Sequence, residues 1–425
     1  MKWETKKSED FFAHIEKLTD EDKFTECIDL LISIPQEERD YNAWYQLARA
    51  YQNFAIIGDD DKGTSSFIGD KALLKSIEIL NFVKKEGENK AEWNMRMAYA
   101  YQYLTCEEER ALPYAIRWGE LAPDDANAFE VIKECNEEIE KRKQMTGAQN
   151  NADVSCEAPQ IEEEWGIYLC NQFWCDFPAV IRLNLALSKF DLIGKYPKRL
   201  TLQILYKSPD EYGFPTREEG EFLYQIEDDI LDIIEKHGDI LAGVVKCDDR
   251  VHIIAYVKDE AGYAAEISEL MEKKFSDYVY TVAILLDENW EMYFDALYPD
   301  KYEYQSIMNN ALIENIRNNG DIMVPRVLEH FLLFKTEENR NGFLAKVIED
   351  GFEEINLEAD DGECEDEDTE YPYELLIGRE DSFEDIDEIV WYLMDVADEF
   401  DGYYDGWGCG VVKDVAMEQV REAKI

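Results

Sequence analysis

Four histidines are all the imidazole this chain has: His14, His237, His252 and His330. None stands in an H-x-x-x-H or H-E-x-x-H arrangement, the spacing that puts two metal ligands on one helix face. His252 and His330 lie inside apolar runs of strand length, where a hydrogen-bonded structural histidine is a simpler reading than a general base. Cys170 and Cys175 form a lone pair, so a zinc site would need distant ligands. Asp59, Asp61 and Gly63 have the opening of a calcium loop, but the acidic ligand that should close it is missing. Glu227, Asp228 and Asp229 could hold magnesium or trade protons; on the outer face of a helix they read as solvated charge. No G-x-G-x-x-G, Walker A or G-x-S-x-G pattern is present. The chemistry-bearing residues therefore predict no enzyme, no cofactor and no metal site.

Charge is the outlying property. Against 96 acidic side chains stand 43 basic ones, a formal net charge of −53. Such a surface repels nucleic acid phosphate and anionic lipid and attracts basic partners, so direct nucleic acid or membrane binding is disfavoured. The plainer alternative is that the acidity keeps the protein dispersed. At 425 residues, with 46% hydrophobic side chains, the chain can build several packed domains. Residues 1–10 have no apolar core, so a secretory leader is not expected. No apolar run approaches the roughly 18 residues of a membrane span. Nine scattered cysteines suit reduced thiols. A cytoplasmic protein is expected.

The elements come in three blocks. Residues 1–145 read as successive helices. Trp44-x-x-Leu47-Ala48-x-x-Tyr51 fits the first helix of a tetratricopeptide repeat, and Met97-Ala98-x-x-Tyr101 with Trp93 is a degenerate copy. The copies lie 50 residues apart rather than about 34, and the excess falls on a turn-rich insertion at 55–69. This block resembles a short tetratricopeptide-like solenoid, which implies a concave surface for a protein segment or a brace for the next domain. Residues 146–160 read as a linker. From 161 to 319 the pattern is α+β. Strands are expected at 181–187, 200–206, 241–246, 251–257 and 279–286. Thr216-Arg-Glu-Glu219 has the capping-box pattern before a helix, a second helix falls at 260–274, and a helical tail covers 302–318. Cys247-Asp248-Asp249-Arg250 reads as a tight hairpin.

Trp165, Tyr168, Gly213-x-Pro215, Ile226-Glu227-Asp228, Gly243, Arg250, Tyr256, Trp290-x-x-Tyr293 and Leu297-Tyr-Pro299 resemble the DUF695 family, which has no settled function. The resemblance spans most of 160–300 and implies no activity.

The last block, 320–425, again has the order βαββαβ. Strands are expected at 327–334, 352–357 and 372–377 and at Val411-Val412. Thr336 and Ser382 serve as helix caps, and Gly351 as a helix stop. The expected architecture is therefore multidomain α and α+β: tetratricopeptide-like helices followed by two ferredoxin-like sandwiches. An acidic loop, 358–370, sits between two of the strands and will not fold on its own. The series Asn319-Gly-Asp321, Pro325-Arg326, His330-Phe331, Phe334, Arg340, Gly351-Phe352, Tyr371-Pro-Tyr373, Arg379, Asp381, Ile386-Asp387 and Tyr404-Asp-Gly-Trp407 resembles the family of regulator of ribonuclease E activity B. That resemblance covers about 320–412. It implies a ferredoxin-like protein that binds a ribonuclease E-type enzyme and restrains RNA cleavage without catalysis of its own. Family members are short single-domain chains, and this one carries some 320 further residues.

The expected function is a non-enzymatic protein-binding regulator that inhibits a ribonuclease E-like enzyme through its C-terminal block. The candidate contact residues are Asp360, Asp361, Glu363, Glu365, Asp366, Glu367 and Asp368 in the acidic loop, with Tyr404, Asp405 and Trp407 beyond it. Tyr404–Trp407 has an alternative reading as an Asp-Gly turn with the indole packed on the sheet. Two other functions stay open: an immunity-type protein neutralising a basic nuclease toxin, and an uncharacterised enzyme in the middle block.

Overall fold

The computed structural model describes residues 5–147, 163–170, 177–260, 262–355 and 370–413. The chain divides into two units, Met1–Tyr298 and Pro299–Ile425. The architecture is multidomain, α followed by α+β.

The first unit begins with helices α1 (Thr5–Asp20), α2 (Phe24–Ile32), α3 (Tyr41–Ile56), α4 (Ser66–Phe82), α5 (Lys84–Gly87), α6 (Ala91–Gln102), α7 (Glu108–Leu121) and α8 (Ala126–Gly147). Asp40 and Ser65 open α3 and α4 by accepting backbone N–H bonds, which settles orphan donors at those ends. Ala43, Ala48, Ala98, Ala100, Ala111 and Ala115 are buried, so neighbouring helices approach with little side chain between them. Gln52 donates to Ser76 Oγ and Arg96 O, both at 2.8 Å, and so ties α3, α4 and α6 together. The segment that has only the opening of a calcium loop acts as a brace: Asp59 Oδ1 accepts from the N–H groups of Phe24 (2.7 Å) and Thr25 (3.0 Å), at the start of α2.

Gly87 is required by packing. A Cβ there would lie 2.2 Å from Trp93 Cδ1, and the Trp93 indole is fully buried and donates to Leu80 O at 3.0 Å. Gly87→Ala should therefore destabilise the protein by roughly 1–3 kcal/mol through overpacking. Gly220→Ala is the control: it lies in a helix with nothing within 4 Å of its Cβ, and it should hold or raise stability. Thermal unfolding of both variants checks the contrast.

The rest of this unit is one six-stranded antiparallel sheet in the order β1-β2-β4-β5-β3-β6. Its strands are β1 (Trp165–Cys170), β2 (Ala179–Asn184), β3 (Lys198–Leu205), β4 (Ile240–Cys247), β5 (Arg250–Val257) and β6 (Tyr280–Leu286). Helices α9 (Arg217–Lys236) and α10 (Tyr263–Lys274) follow β3 and β5, so β3 to β6 are the ferredoxin-like core, extended by β2 and β1 beyond β4. Asp248 and Asp249 both have positive φ (48° and 63°), the geometry of a two-residue hairpin whose twist matches the strands.

Two local expectations change here. The strand expected at 181–187 ends at Asn184, whose Oδ1 accepts from Ala186 N and turns the chain into a 3₁₀ segment, Leu185–Lys189. The capping box at Thr216 is half formed. Thr216 Oγ1 accepts from Glu219 N, but the Glu219 carboxylate turns away to the N–H groups of Lys207 (2.7 Å) and Ser208 (3.0 Å).

The second unit opens with α11 (Lys301–Asn318), whose Asp300 and Glu303 form a complete capping box. From sequence this helix is expected as the tail of the middle block; Leu312, Ile313 and Ile316 instead join the C-terminal core. Then come β7 (Arg326–Phe334), α12 (Glu337–Ile348), β8 (Glu353–Glu354), β9 (Tyr373–Asp381), α13 (Ile386–Glu399) and β10 (Gly402–Gly408), in the antiparallel order β10-β7-β9-β8. This is the expected βαββαβ sandwich. The strand expected at 352–357 shrinks to two residues, with 356 and 357 outside the described residues. The closing strand is Gly402–Gly408, not Val411-Val412. Tyr404 and Trp407 supply the packing that makes the earlier segment a strand, while Val412 donates its N–H to Asp321 Oδ2 at 2.7 Å.

Candidate functional site

Residues 404 and 407 are three apart, so in a regular strand they would face opposite sides of the sheet. The ladder between β7 and β10 shifts register between Tyr404 and Gly406, which leaves Asp405 as the extra residue of a β-bulge. Gly406 takes φ 149°, a value few other residues adopt. Both aromatics consequently face inward, with Tyr404 7% and Trp407 6% exposed. The Asp-Gly pair is thus a bulge rather than a turn.

The buried rings are held by specific partners. Tyr404 OH and His330 Nδ1 are 2.9 Å apart, and His330 is completely buried on β7. Burial, with the Arg379 cation nearby, pushes the His330 pKa down to about 3, so the ring is neutral at physiological pH. Burial alone raises the Tyr404 pKa. Trp407 Nε1 donates to Asn309 Oδ1 at 2.9 Å, and Asn309 Nδ2 donates to Asp387 Oδ1 at 2.7 Å. That chain links β10, α11 and α13. Asn309 was not singled out from the sequence; a fully buried amide in an otherwise polar helix segment offers no local signal. Arg326, which the sequence marked, makes a two-pronged ion pair with Asp321, both contacts at 2.6 Å, and donates to Gly410 O at 2.7 Å. The pair clamps the segment before β7 to the segment after β10.

Of the expected contact residues, Asp405 is exposed, while Tyr404 and Trp407 are core side chains that can act only by shaping what surrounds them. Asp360, Asp361, Glu363, Glu365, Asp366, Glu367 and Asp368 lie outside the described residues. What the unit does present to solvent is the sheet face opposite α12 and α13. There Val327, Phe331 and Tyr403 are 50%, 39% and 53% exposed.

In the first unit Arg250, Tyr256, Trp290 and Tyr293 are also inside, as is Glu227, while Asp228 is exposed. Arg250 is fully buried and donates to Gln203 Oε1 (2.9 Å), Phe67 O (2.7 Å) and Asp248 Oδ2 (3.3 Å). Gln203 passes the network to Asp70 on α4, whose pKa burial raises, and Lys71 bridges Asp248 (2.5 Å) and Asp249 (3.0 Å). This polar seam joins the helical array to the sheet. Tyr256 stacks on Trp290 with ring centroids 3.9 Å apart and donates to Asp287 Oδ2 at 2.8 Å. Tyr293 OH donates to Asn184 O at 2.8 Å. A cleft of about 450 Å³ lies between α7, α8 and the β6–α10 edge, lined by Cys106, Arg110, Arg142, Ala264, Ser268 and Ile284. Its cations are neutralised in place: Arg110 pairs with Glu107, and Arg142 with Glu108 and Glu109. Among the described residues no histidine lines it, and its carboxylates Glu107, Glu109 and Glu260 are each in an ion pair.

The fold defines the C-terminal unit as a ferredoxin-like sandwich. Residues 306–409 match the family described as regulator of ribonuclease activity B. Residues 163–298 match a family of unknown function, DUF695. Neither a curated protein nor a solved structure matches the chain. The regulator match begins inside α11, which accords with the place of Asn309 in the Trp407 network. Among the described residues no helix is long and apolar enough to cross a membrane.

Proposed function

We propose that the chain is a non-catalytic, cytoplasmic protein-binding regulator that restrains a ribonuclease E-like enzyme through residues 320–425, with α11 completing their core. The observation that carries this reading is the family match over 306–409 on a complete βαββαβ sandwich. The buried partners of Tyr404, Trp407 and Arg326 support it, because the residues that mark the family are those that hold this fold together. A surface of net charge −53 favours a basic protein segment over RNA itself. The helical array and the six-stranded sheet are read as a scaffold that positions or recruits the regulated enzyme.

Affinity capture with the intact chain from its native cytoplasm should recover a ribonuclease, in an association that weakens as salt rises. Overproduction of the chain should lengthen RNA half-lives. If capture recovers no ribonuclease and RNA decay does not change, the reading is wrong.

A further inference from the structure

Register determines what the open face of the C-terminal sheet carries. Leu328, His330, Leu332 and Phe334 face the helices, so Val327, Glu329, Phe331 and Leu333 face away. Across the ladders Leu333 stands opposite Tyr403 and Glu374, Phe331 opposite Gly406 and Leu376, Glu329 opposite Gly408 and Gly378, and Val327 opposite Glu380. Glu353 stands opposite Gly378, and Ile355 donates its N–H to Leu376 O at 2.9 Å. An apolar row of Phe331, Leu376 and Ile355 therefore crosses the strands, with Phe331 exposed, Ile355 half-buried and Leu376 between them buried, so that Phe331, Val327 and Tyr403 supply the exposed apolar area. Ile355 and Val327 lean over Gly378, where a Cβ would meet them at 2.7 and 2.9 Å. Two residues along the strands, about 7 Å away, acidic side chains flank the row: Glu374 on one side, Glu329 and Glu353 on the other. None of these three, nor Glu380, is in an ion pair within the described residues, and no strand position on this face is basic.

We propose that this face docks a basic amphipathic helix of a protein partner, laid along the apolar row with lysine and arginine over the flanking carboxylates. The proposal deepens the regulator reading and rests on it. A helix fits better than an added strand because a strand bonds along an edge, whereas the apolar row runs crosswise over the inner strands β7 and β9 to Ile355 beside β8. A helix about 10–12 Å across brings its flanks over both acidic lines at once. A second copy of this chain would set like carboxylates against one another, and nucleic acid would bring phosphate to them.

The probe is a fluorescein-labelled 18-residue amphipathic peptide of leucine, lysine and arginine, titrated with the intact chain by anisotropy. Binding should weaken about 10-fold or more in Glu329→Lys/Glu353→Lys and in Phe331→Ser, and fall steeply with salt. A peptide with glutamate in place of the basic residues should not bind. Glu384→Lys/Glu388→Lys, a reversal elsewhere on the same unit, should leave affinity within about twofold. Phe331, Glu353, Glu384 and Glu388 are exposed and Glu329 is half-buried, and unchanged unfolding midpoints confirm that each variant is folded. Affinity unaltered in both face variants overturns the proposal, as does equal loss in the control reversal. So does a concentration-dependent dimer that Phe331→Ser abolishes. If the peptide binds this face and RNA decay is unchanged, the regulator reading fails and the docking surface stands. If RNA decay slows equally with and without Glu329→Lys/Glu353→Lys, the docking proposal fails and the regulator reading stands.

Discussion

Replacing Trp407 with alanine is expected to destabilise the C-terminal unit by roughly 3–5 kcal/mol, a large share of what a unit of this size has. The indole is 6% exposed and packs beside Phe383 in the core between the sheet and α13. Its removal leaves a cavity, and it also takes from Asn309 Oδ1 the shorter of its two donors, leaving Gln305 Nε2 at 3.1 Å while Asn309 remains bonded to Asp387. The loss therefore combines missing packing, the larger part, with one lost hydrogen bond to an amide that keeps its Gln305 donor. Trp407→Phe separates the two: it restores much of the volume without the N–H, and should cost about 0.5–1.5 kcal/mol for the lost bond. Asn309→Ala in the Trp407→Phe background should then add less than it does alone, because the two positions share one hydrogen bond. Urea unfolding of the intact chain, with hydrogen exchange read at β7 and β10, measures these values for this unit. If Trp407→Ala and Trp407→Phe cost the same, the Asn309 bond contributes nothing and packing alone holds the strand.

How much of this could be read from the chain depends on whether the cause was local. The order βαββαβ was legible because Phe343 and Val347, or Ile386, Val390 and Leu393, recur at helical spacing, and because Thr336 and Ser382 cap as their types require. The last strand was misplaced because its signal is not periodic. Three aromatics in a glycine-rich stretch look like a turn until a bulge puts two of them on one face. The core roles of Tyr404 and Trp407 were half legible, as a packed indole, but their partners His330 and Asn309 lie 74 and 98 residues away in sequence. Nothing local names such partners. Phe331 illustrates the same limit from outside. In sequence it belongs to an unbroken apolar run, and only the pairing register shows that it faces solvent beside Leu376 rather than the core.

The C-terminal unit should also be acid-labile in two offset windows, each traceable to one residue. His330 has a folded pKa of about 3, well below the ordinary 6.5, because burial disfavours its cation. The unfolded chain therefore takes up a proton first as pH falls, and stability drops from about pH 6.5 down to about 3, at up to about 1.4 kcal/mol per pH unit. Asp321 has a folded pKa of about 2 against an ordinary 3.8, chiefly because Arg326 hydrogen-bonds to its carboxylate. Its contribution is fully present above the unfolded value and is lost as pH falls from about 4 through about 2, a further ~2 kcal/mol. The two effects have the same sign but different lower limits. His330→Gln, which can keep a partner for Tyr404 OH without titrating, should flatten the profile between pH 6.5 and 4 and leave the lower step. Arg326→Met should do the reverse, removing the lower step while costing roughly 3 kcal/mol at neutral pH, since it leaves the buried Asp321 carboxylate without its cation. Hydrogen exchange at β7 and β10 across this pH range separates them. A profile that stays sloped above pH 4 in His330→Gln would assign the upper window to some other group.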